Sequence, residues 1–120
     1  MELRTDALGI FESPNESTIR KVIKASKEMP KGYLINLEKD INNYLSLSIG
    51  ERNGRHSLTF KNKSLKVRCC KKLNNNEAIK IFNRYLDGDL SWYGNYEWEQ
   101  TTMNKILENI ESAQQHQPEP

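Results

Sequence analysis

The chain has 120 residues, of which 36% are hydrophobic and 28% are charged, with a formal net charge of +2. This length suits one domain, and no apolar run approaches the roughly 20 residues that cross a bilayer. The start, MELRTDALGIFE, lacks the apolar core of a secretory signal, so we expect a cytoplasmic protein with no membrane partner.

The first predicted element after a short extended segment at 7–12 is a helix. In the sequence SPNE, Ser13 is expected to be the N-cap, Pro14 the first helical residue, and Glu16 the partner that closes a capping box. Residues three and four positions apart form its buried face: Ile19, Val22, Ile23 and Ser26. Met-Pro-Lys-Gly at 29–32 is expected to end the helix.

Four short strands follow, because apolar and polar residues alternate at 33–38, 43–50, 56–60 and 65–70. In the last strand, alternation places Leu65, Val67 and Cys69 on one face, and Lys66, Arg68 and Cys70 on the other. Asn53-Gly54 has the composition of a hairpin turn, and a second hairpin is expected around Lys61–Ser64. Antiparallel pairing of successive strands is the simplest topology.

A second helix is predicted between Asn74, its N-cap with Glu77 closing the box, and Gly88, its left-handed stop. Its buried stripe is formed by Ile79, Phe82 and Leu86. A strand at 94–99 should turn Tyr96 and Trp98 inward and Asn95, Glu97 and Glu99 outward.

The last predicted elements are a third helix at 101–113 and a disordered tail at 114–120. The apolar face of this helix comprises Met103, Ile106, Leu107 and Ile110. The fold class expected is therefore α+β. We predict one domain over 1–113, with an antiparallel sheet of about four to six strands packed with two to three helices.

Charge is unevenly distributed along the chain. Residues 52–72 carry eight cations and no carboxylate, whereas residues 87–120 carry seven carboxylates and one lysine. Such asymmetry points to charged partners, although the two segments would also complement each other in the fold. The cations are Arg52, Arg55, Lys61, Lys63, Lys66, Arg68, Lys71 and Lys72.

The sequence offers little for catalysis or metal binding. His56 and His116 are the only histidines, and neither has a recognisable catalytic neighbourhood. Cys69 and Cys70 are adjacent in a strand, so they point to opposite faces and do not suit a mutual disulfide; we expect Cys69 buried and Cys70 exposed. We therefore expect no enzyme, no metal and no cofactor.

The stretch YLDGDLSWYGNYEWE, residues 85–99, holds four carboxylates and five aromatic rings. Core packing accounts for most of the rings, but Trp92 and Tyr93 are expected on a loop with acids around them. Aromatic anchors inside a charged rim are typical of protein-binding surfaces. The predicted partner-binding residues are Asp87, Asp89, Trp92, Tyr93, Glu97 and Glu99.

Nucleic-acid binding is the alternative, because the cationic hairpin at 52–72 would contact phosphates and release counterions. Phe60 is the only ring in that segment, so the stacking surface that single strands need is absent. A solvated cationic face remains open as a third interpretation.

The run EAIKIFNRYLDGDLSW followed by YEWE, with SPNE and YLINLE before it, resembles small α+β bacterial immunity proteins. These belong to polymorphic-toxin and contact-dependent growth-inhibition systems. The likeness loosely spans most of residues 10–99. It is carried by Phe82, Tyr85, Leu86, Gly88, Asp89, Trp92, Glu97 and Trp98.

This resemblance implies a non-enzymatic cytoplasmic inhibitor that binds a cognate toxin domain and blocks the toxin's active site. Immunity proteins against nucleases are often strongly acidic, whereas this chain is slightly basic. The cationic hairpin is therefore the alternative contact surface, and the resemblance assigns no toxin contact to a particular residue.

Overall fold

The computed structural model describes residues 1–51, 54–63 and 65–100. Over these residues the chain is an α+β protein with one seven-stranded antiparallel sheet and two α-helices. The predicted class is confirmed, although the sheet has more strands than expected. Several predictions lie outside the described residues: Arg52, Asn53, Ser64, His116, the helix at 101–113 and the tail at 114–120.

The strands, in chain order, are β1 (Glu2–Thr5), β2 (Gly9–Glu12), β3 (Leu34–Asp40), β4 (Asn43–Ser48), β5 (Ser57–Asn62), β6 (Leu65–Cys69) and β7 (Trp98–Gln100). The α-helices are α1 (Glu16–Lys24) and α2 (Asn75–Leu86), and two 3-10 turns lie at Ala25–Glu28 and Ser91–Asn95. The sheet order is β2-β1-β3-β4-β5-β6-β7.

The core lies between the two helices and one face of the sheet. Its fully buried sheet residues include Ile35, Leu37, Leu45, Leu47 and Leu58. Ile19 and Ile23 of α1 and Phe82 of α2 pack against them. Ser46 and Ser48 alternate with the buried leucines of β4, so the predicted two-residue period is confirmed.

The N-terminal hairpin is the part of the sheet that the sequence did not predict. Only an extended segment at 7–12 was expected, yet β1 pairs with β2 on one side and with β3 on the other. Gly9, with φ of 82°, begins β2 where a side chain would be strained. β1 was missed because it is short and carries Glu2 and Arg4 on its outward positions.

Helix α1 begins two residues later than expected. The Ser13 backbone has φ of 48° and its N–H donates to the Met1 carbonyl, so it continues the β1–β2 ladder. Asn15 is extended, and its side chain accepts from the Thr18 N–H at 2.9 Å. The predicted N-cap at Ser13 was therefore wrong, and Glu16 is the first helical residue rather than the capping-box partner.

Helix α2 has both predicted ends. Asn74 accepts from the Glu77 N–H at 2.8 Å, and the Glu77 carboxylate accepts from the Asn74 N–H, which completes the capping box. Gly88 has φ of 80°, the left-handed conformation expected at the stop. Ile79 and Phe82 are buried and Leu86 is partly buried.

The β5–β6 hairpin forms as predicted but turns more tightly. Lys61 pairs with Lys66 and Asn62 pairs with Leu65, so half of the expected turn belongs to the strands. Cys69 is buried and Cys70 is exposed, in agreement with the predicted alternation.

The last strand is shorter than predicted. Residues 91–95 form a 3-10 turn, the Tyr96 N–H donates to the Tyr93 carbonyl, and β7 begins only at Trp98. Trp98 and Tyr96 both pack against the core, but each remains partly exposed. Neither described α-helix is long and apolar enough to span a membrane.

Candidate functional site

The sheet face turned away from α1 and α2 is the candidate site. We call it the open face, because none of the described elements packs on it. It carries the residues that alternate with the core: Glu2, Arg4, Ile10, Glu12, Leu34, Asn36, Glu38, Tyr44, Ser46, Ser48, Ser57, Thr59, Lys61, Lys66, Arg68 and Glu99.

Six of these residues stand in one cross-strand row. The register pairs Glu12 with Glu2, Glu2 with Glu38, Glu38 with Tyr44, Tyr44 with Lys61, and Lys61 with Lys66. We call this the charged row. At about 4.8 Å between strands it extends roughly 24 Å, with three carboxylates at one end and two ammonium groups at the other.

The next row of the open face carries Arg4 and Arg68, and both arginines are paired with carboxylates. Arg4 forms salt bridges with Glu2, at 2.9 Å, and with Glu38, and Arg68 Nε donates to Glu99 Oε1 at 3.1 Å. Lys61 Nζ instead donates to the carbonyl oxygens of Asn62 and Lys63, and makes no salt bridge within the described residues. Lys61 therefore keeps its charge available to a partner.

A depression of about 450 Å³ opens beside the acidic end of the charged row, lined by residues that include Glu2, Glu38 and Ile41. Ile41 lies at the tip of the β3–β4 hairpin and is 85% exposed. The Asp40 carboxylate holds this tip by accepting from the Asn42 N–H and the Asn43 amide, at 2.8 and 2.9 Å. The Asn43 hydrogen bond is the main cause that lowers the pKa of Asp40, so the tip stays fixed at neutral pH.

The predicted acidic surface is divided in the structure. Asp87 and Asp89 lie at the C-terminal end of α2, whereas Glu97 and Glu99 lie at the β7 edge. Asp89 forms a 3.3 Å salt bridge with Arg84 and accepts a hydrogen bond from the Ser91 N–H. That hydrogen bond is the main cause that lowers the pKa of Asp89. Glu99 is paired with Arg68, so half of this acidity is compensated within the molecule.

Trp92 is a core residue within a 3-10 turn, although the sequence analysis expected it on a loop as a partner-binding anchor. It is 3% exposed, and its ring lies edge-on to Phe60 with centroids 5.4 Å apart. Tyr93 is partly buried and stacks on Trp98 at 4.8 Å. Both residues lie in the 3-10 turn at Ser91–Asn95, and both rings contact Phe60, with the Tyr93 centroid 5.5 Å away.

The predicted basic surface does not stay together either. Lys61, Lys63 and Lys66 gather at the turn of the β5–β6 hairpin, and Arg55 lies beyond the opposite end of β5. Also at that opposite end, Lys71 is bonded to Glu77 and Lys72 to Ser57, at 2.8 and 2.6 Å. Arg68 lies between the two groups.

His56 serves the fold. It is 1% exposed, its Nδ1 accepts from the Gly50 N–H at 3.0 Å, and its Nε2 lies 2.6 Å from the Asn75 amide oxygen. Because Nδ1 accepts, Nε2 carries the proton and donates to Asn75. Within the described residues, no group of three or more His, Cys, Asp or Glu side chains is placed to hold a metal ion.

The acidic half of the charged row and Ile41 were missed from the sequence. An isolated isoleucine between Asp40 and Asn42-Asn43 was a usable signal, since turn tips are normally polar. Glu2, Glu12 and Glu38 are far apart in sequence, and only strand register brings them together.

No protein-family model, curated protein or solved structure matches the chain.

Proposed function

We propose that this chain is an immunity protein that holds a cognate toxin domain on its open face and occludes the toxin's active site. The charged row is the observation that carries this function. Like charges directly opposite each other on paired strands destabilise a sheet, and Lys61–Lys66 and Glu2–Glu12 are both such pairs. Arg4 offsets the repulsion at Glu2, but strand pairing does not require like charges at either end of the row, whereas recognition of a partner with the reverse order of charges uses both ends.

The open face would act in two steps. The separated charges steer the toxin and orient it across the strands, because opposite charges at the two ends fit in only one direction. Contacts with Ile41 and Tyr44 then retain the complex, since apolar and aromatic anchors inside a charged surface supply most of the binding energy. A rigid sheet placed over the active site excludes substrate.

Growth protection tests the function. The immunity function predicts a toxin domain encoded immediately upstream of this gene, and cells that produce that domain should grow when they also produce the wild-type chain. The double change Lys61→Glu with Lys66→Glu should abolish protection, while the matched control Lys21→Glu with Lys27→Glu, on and just after α1, should protect fully. A wild-type chain that gives no protection contradicts the immunity function, and a protective Lys61/Lys66 variant contradicts the open face as the interface.

Nucleic-acid binding is the second candidate function, and the grouping of Lys61, Lys63 and Lys66 at one hairpin turn favours it. The aromatic component is weaker, because Phe60 is buried on the core face. This function predicts that the protein retards generic DNA or RNA in a gel shift at low salt. The retardation should fall steeply as salt is added. Absence of retardation at micromolar protein would exclude it and leave the immunity function untouched.

A further inference from the structure

The outer edge of β2 is a part of the molecule that the proposed function does not use. β2 is the outermost strand on its side of the sheet, and among the described residues it pairs only with β1. We propose that this edge is a self-association site, at which β2 of a second copy of the chain pairs antiparallel about a two-fold axis. This site does not depend on the immunity function, because it rests on the backbone groups of the sheet edge.

The backbone groups of β2 point alternately toward β1 and away from it. The Ser13 N–H donates to the Met1 carbonyl at 3.0 Å, so Phe11 and Gly9, two and four residues earlier, also turn their backbone groups toward β1. Ile10 and Glu12 therefore turn their N–H and C=O groups outward, where none of the described residues pairs with them. Such a row of outward groups is a template for another strand.

The side chains of β2 do little to keep another strand away. Gly9–Glu12 contains no proline, lysine or arginine, and its register with β1 has no bulge. These are the features that most often protect the edge of a sheet. Ile10 is 55% exposed, and Leu8, just before the strand, is 51% exposed. The edge thus combines outward backbone groups with apolar surface that a paired strand would cover.

Hydrogen bonding selects one register for two copies. With the two-fold axis at Phe11, Ile10 of each copy pairs with Glu12 of the other, and every outward N–H of both strands donates to an outward carbonyl. With the axis at Ile10, Glu12 would instead lie opposite Leu8, whose N–H already donates to Thr5 Oγ1 at 2.6 Å. The axis at Phe11 is therefore the register that uses all the outward groups of β2.

The side chains also fit a second copy in this register. Phe11 is only partly buried on the helix side of the sheet, and it would lie directly opposite Phe11 of the second copy. Aromatic pairs in this position stabilise antiparallel strands. On the open face, Glu12 would lie opposite the apolar Ile10 and not opposite a like charge. This self-complementarity favours a copy of the chain over an unrelated strand as the partner.

The length of the edge sets the strength of the dimer. Pairing is limited to Gly9–Glu12, because the Ser13 backbone, with φ of 48°, leaves the extended conformation. So short an edge covers much less than the roughly 800 Å² per partner that a stable complex buries. We therefore expect a reversible dimer at high micromolar protein and a monomer at low micromolar protein.

Sedimentation equilibrium of the full chain, from low micromolar to millimolar protein, tests the site. The average mass should rise from that of one 14.0 kDa chain toward that of two. Ile10→Glu should weaken association about tenfold or more, because it places carboxylates opposite Glu12 of the second copy. Within one chain the new carboxylate lies opposite Arg4, so the monomer should stay folded.

Two further variants make the test specific to the register. Adding Glu12→Lys to Ile10→Glu should restore association, because both cross-copy pairs then join opposite charges. The control Ile41→Glu makes the same substitution at the exposed tip of the β3–β4 hairpin and should associate like the wild type. Circular dichroism should show all variants folded.

Three results would overturn the proposal. The first is a wild-type chain that stays monomeric at millimolar protein. The second is an equal loss of association in Ile10→Glu and Ile41→Glu, which would mean that added negative charge alone separates the chains. The third is a folded double variant, Ile10→Glu with Glu12→Lys, that associates no better than Ile10→Glu, which would exclude the pairing of Ile10 with Glu12.

Discussion

At the residue scale, the two tryptophans contribute differently to stability. Trp92 is almost fully buried, and its Nε1 donates to the Asp89 carbonyl at 2.8 Å. Trp98 stacks on Tyr93 and donates to the Tyr93 carbonyl at 2.9 Å, but its ring is partly exposed at the sheet edge. The larger loss of packing should therefore follow removal of Trp92.

We predict that Trp92→Ala lowers the free energy of unfolding by about 3–5 kcal/mol and that Trp98→Ala lowers it less. Urea unfolding followed by circular dichroism measures both values and does not depend on tryptophan fluorescence. A greater loss for Trp98→Ala would show that the edge ring, rather than the 3-10 turn, holds this end of the core.

The sequence suggested the opposite assignment, for a physical reason. Tyr96 and Trp98 alternate with glutamates, which is the pattern of a half-buried strand, and Trp92 lies between turn-forming residues. The 3-10 turn at Ser91–Asn95 has only five residues, and so short an element leaves no periodic pattern in the sequence. Caps are more local, and both ends of α2 were predicted for that reason.

Glu77 should make stability depend on pH. Its hydrogen bond with Lys71 is the main cause that lowers its pKa in the folded chain. A group whose pKa is lower in the folded than in the unfolded state stabilises the fold above its unfolded pKa, about 4.3 for Glu. That contribution is lost as the pH falls through the lower, folded value.

Glu77→Gln should therefore reduce the loss of stability on acidification, since glutamine keeps an oxygen for the capping box but has no charge. Thermal midpoints at about pH 7 and about pH 3 measure the loss for each protein. Equal losses in the wild type and the variant would contradict the predicted role of the Lys71–Glu77 bond.

At the element scale, the N-terminal hairpin and the β5–β6 hairpin supply the two ends of the charged row. Local sequence showed β5–β6 clearly, because its cations and alternation lie within one segment. It did not show that β1 would be inserted between β2 and β3, and so it gave no sign of where Glu2 and Glu12 lie. The basic half of the site was predictable, whereas the acidic half needed the register.

Lys61→Glu tests whether the charged row serves binding rather than folding. The change replaces a like-charge pair with an opposite-charge pair across β5 and β6, so the free energy of unfolding should stay the same or rise by up to about 1 kcal/mol. Protection against the toxin should fall nevertheless. Chemical unfolding beside the growth assay separates the two effects, and a destabilised variant would mean that Lys61 supports the fold.

At the scale of the whole molecule, folding brings much of the opposite charge together. Three salt bridges, Arg68–Glu99, Lys71–Glu77 and Arg84–Asp89, pair groups that the sequence placed in separate basic and acidic segments or beside them. The segment charges therefore do not map onto two surfaces. The fold class was predictable because caps and alternation are local, whereas the candidate site depends on strand pairing over the whole sheet.

Calorimetric titration of the purified toxin domain tests the central claim most directly. We predict a one-to-one complex that Lys21→Glu with Lys27→Glu, and Asp89→Lys with Glu97→Lys, leave close to wild-type affinity. Lys61→Glu with Lys66→Glu should weaken it by about a hundredfold or more, because two attractive contacts become repulsive. Wild-type affinity in the Lys61/Lys66 variant, or a comparable loss in the Asp89/Glu97 variant, would contradict binding through the open face.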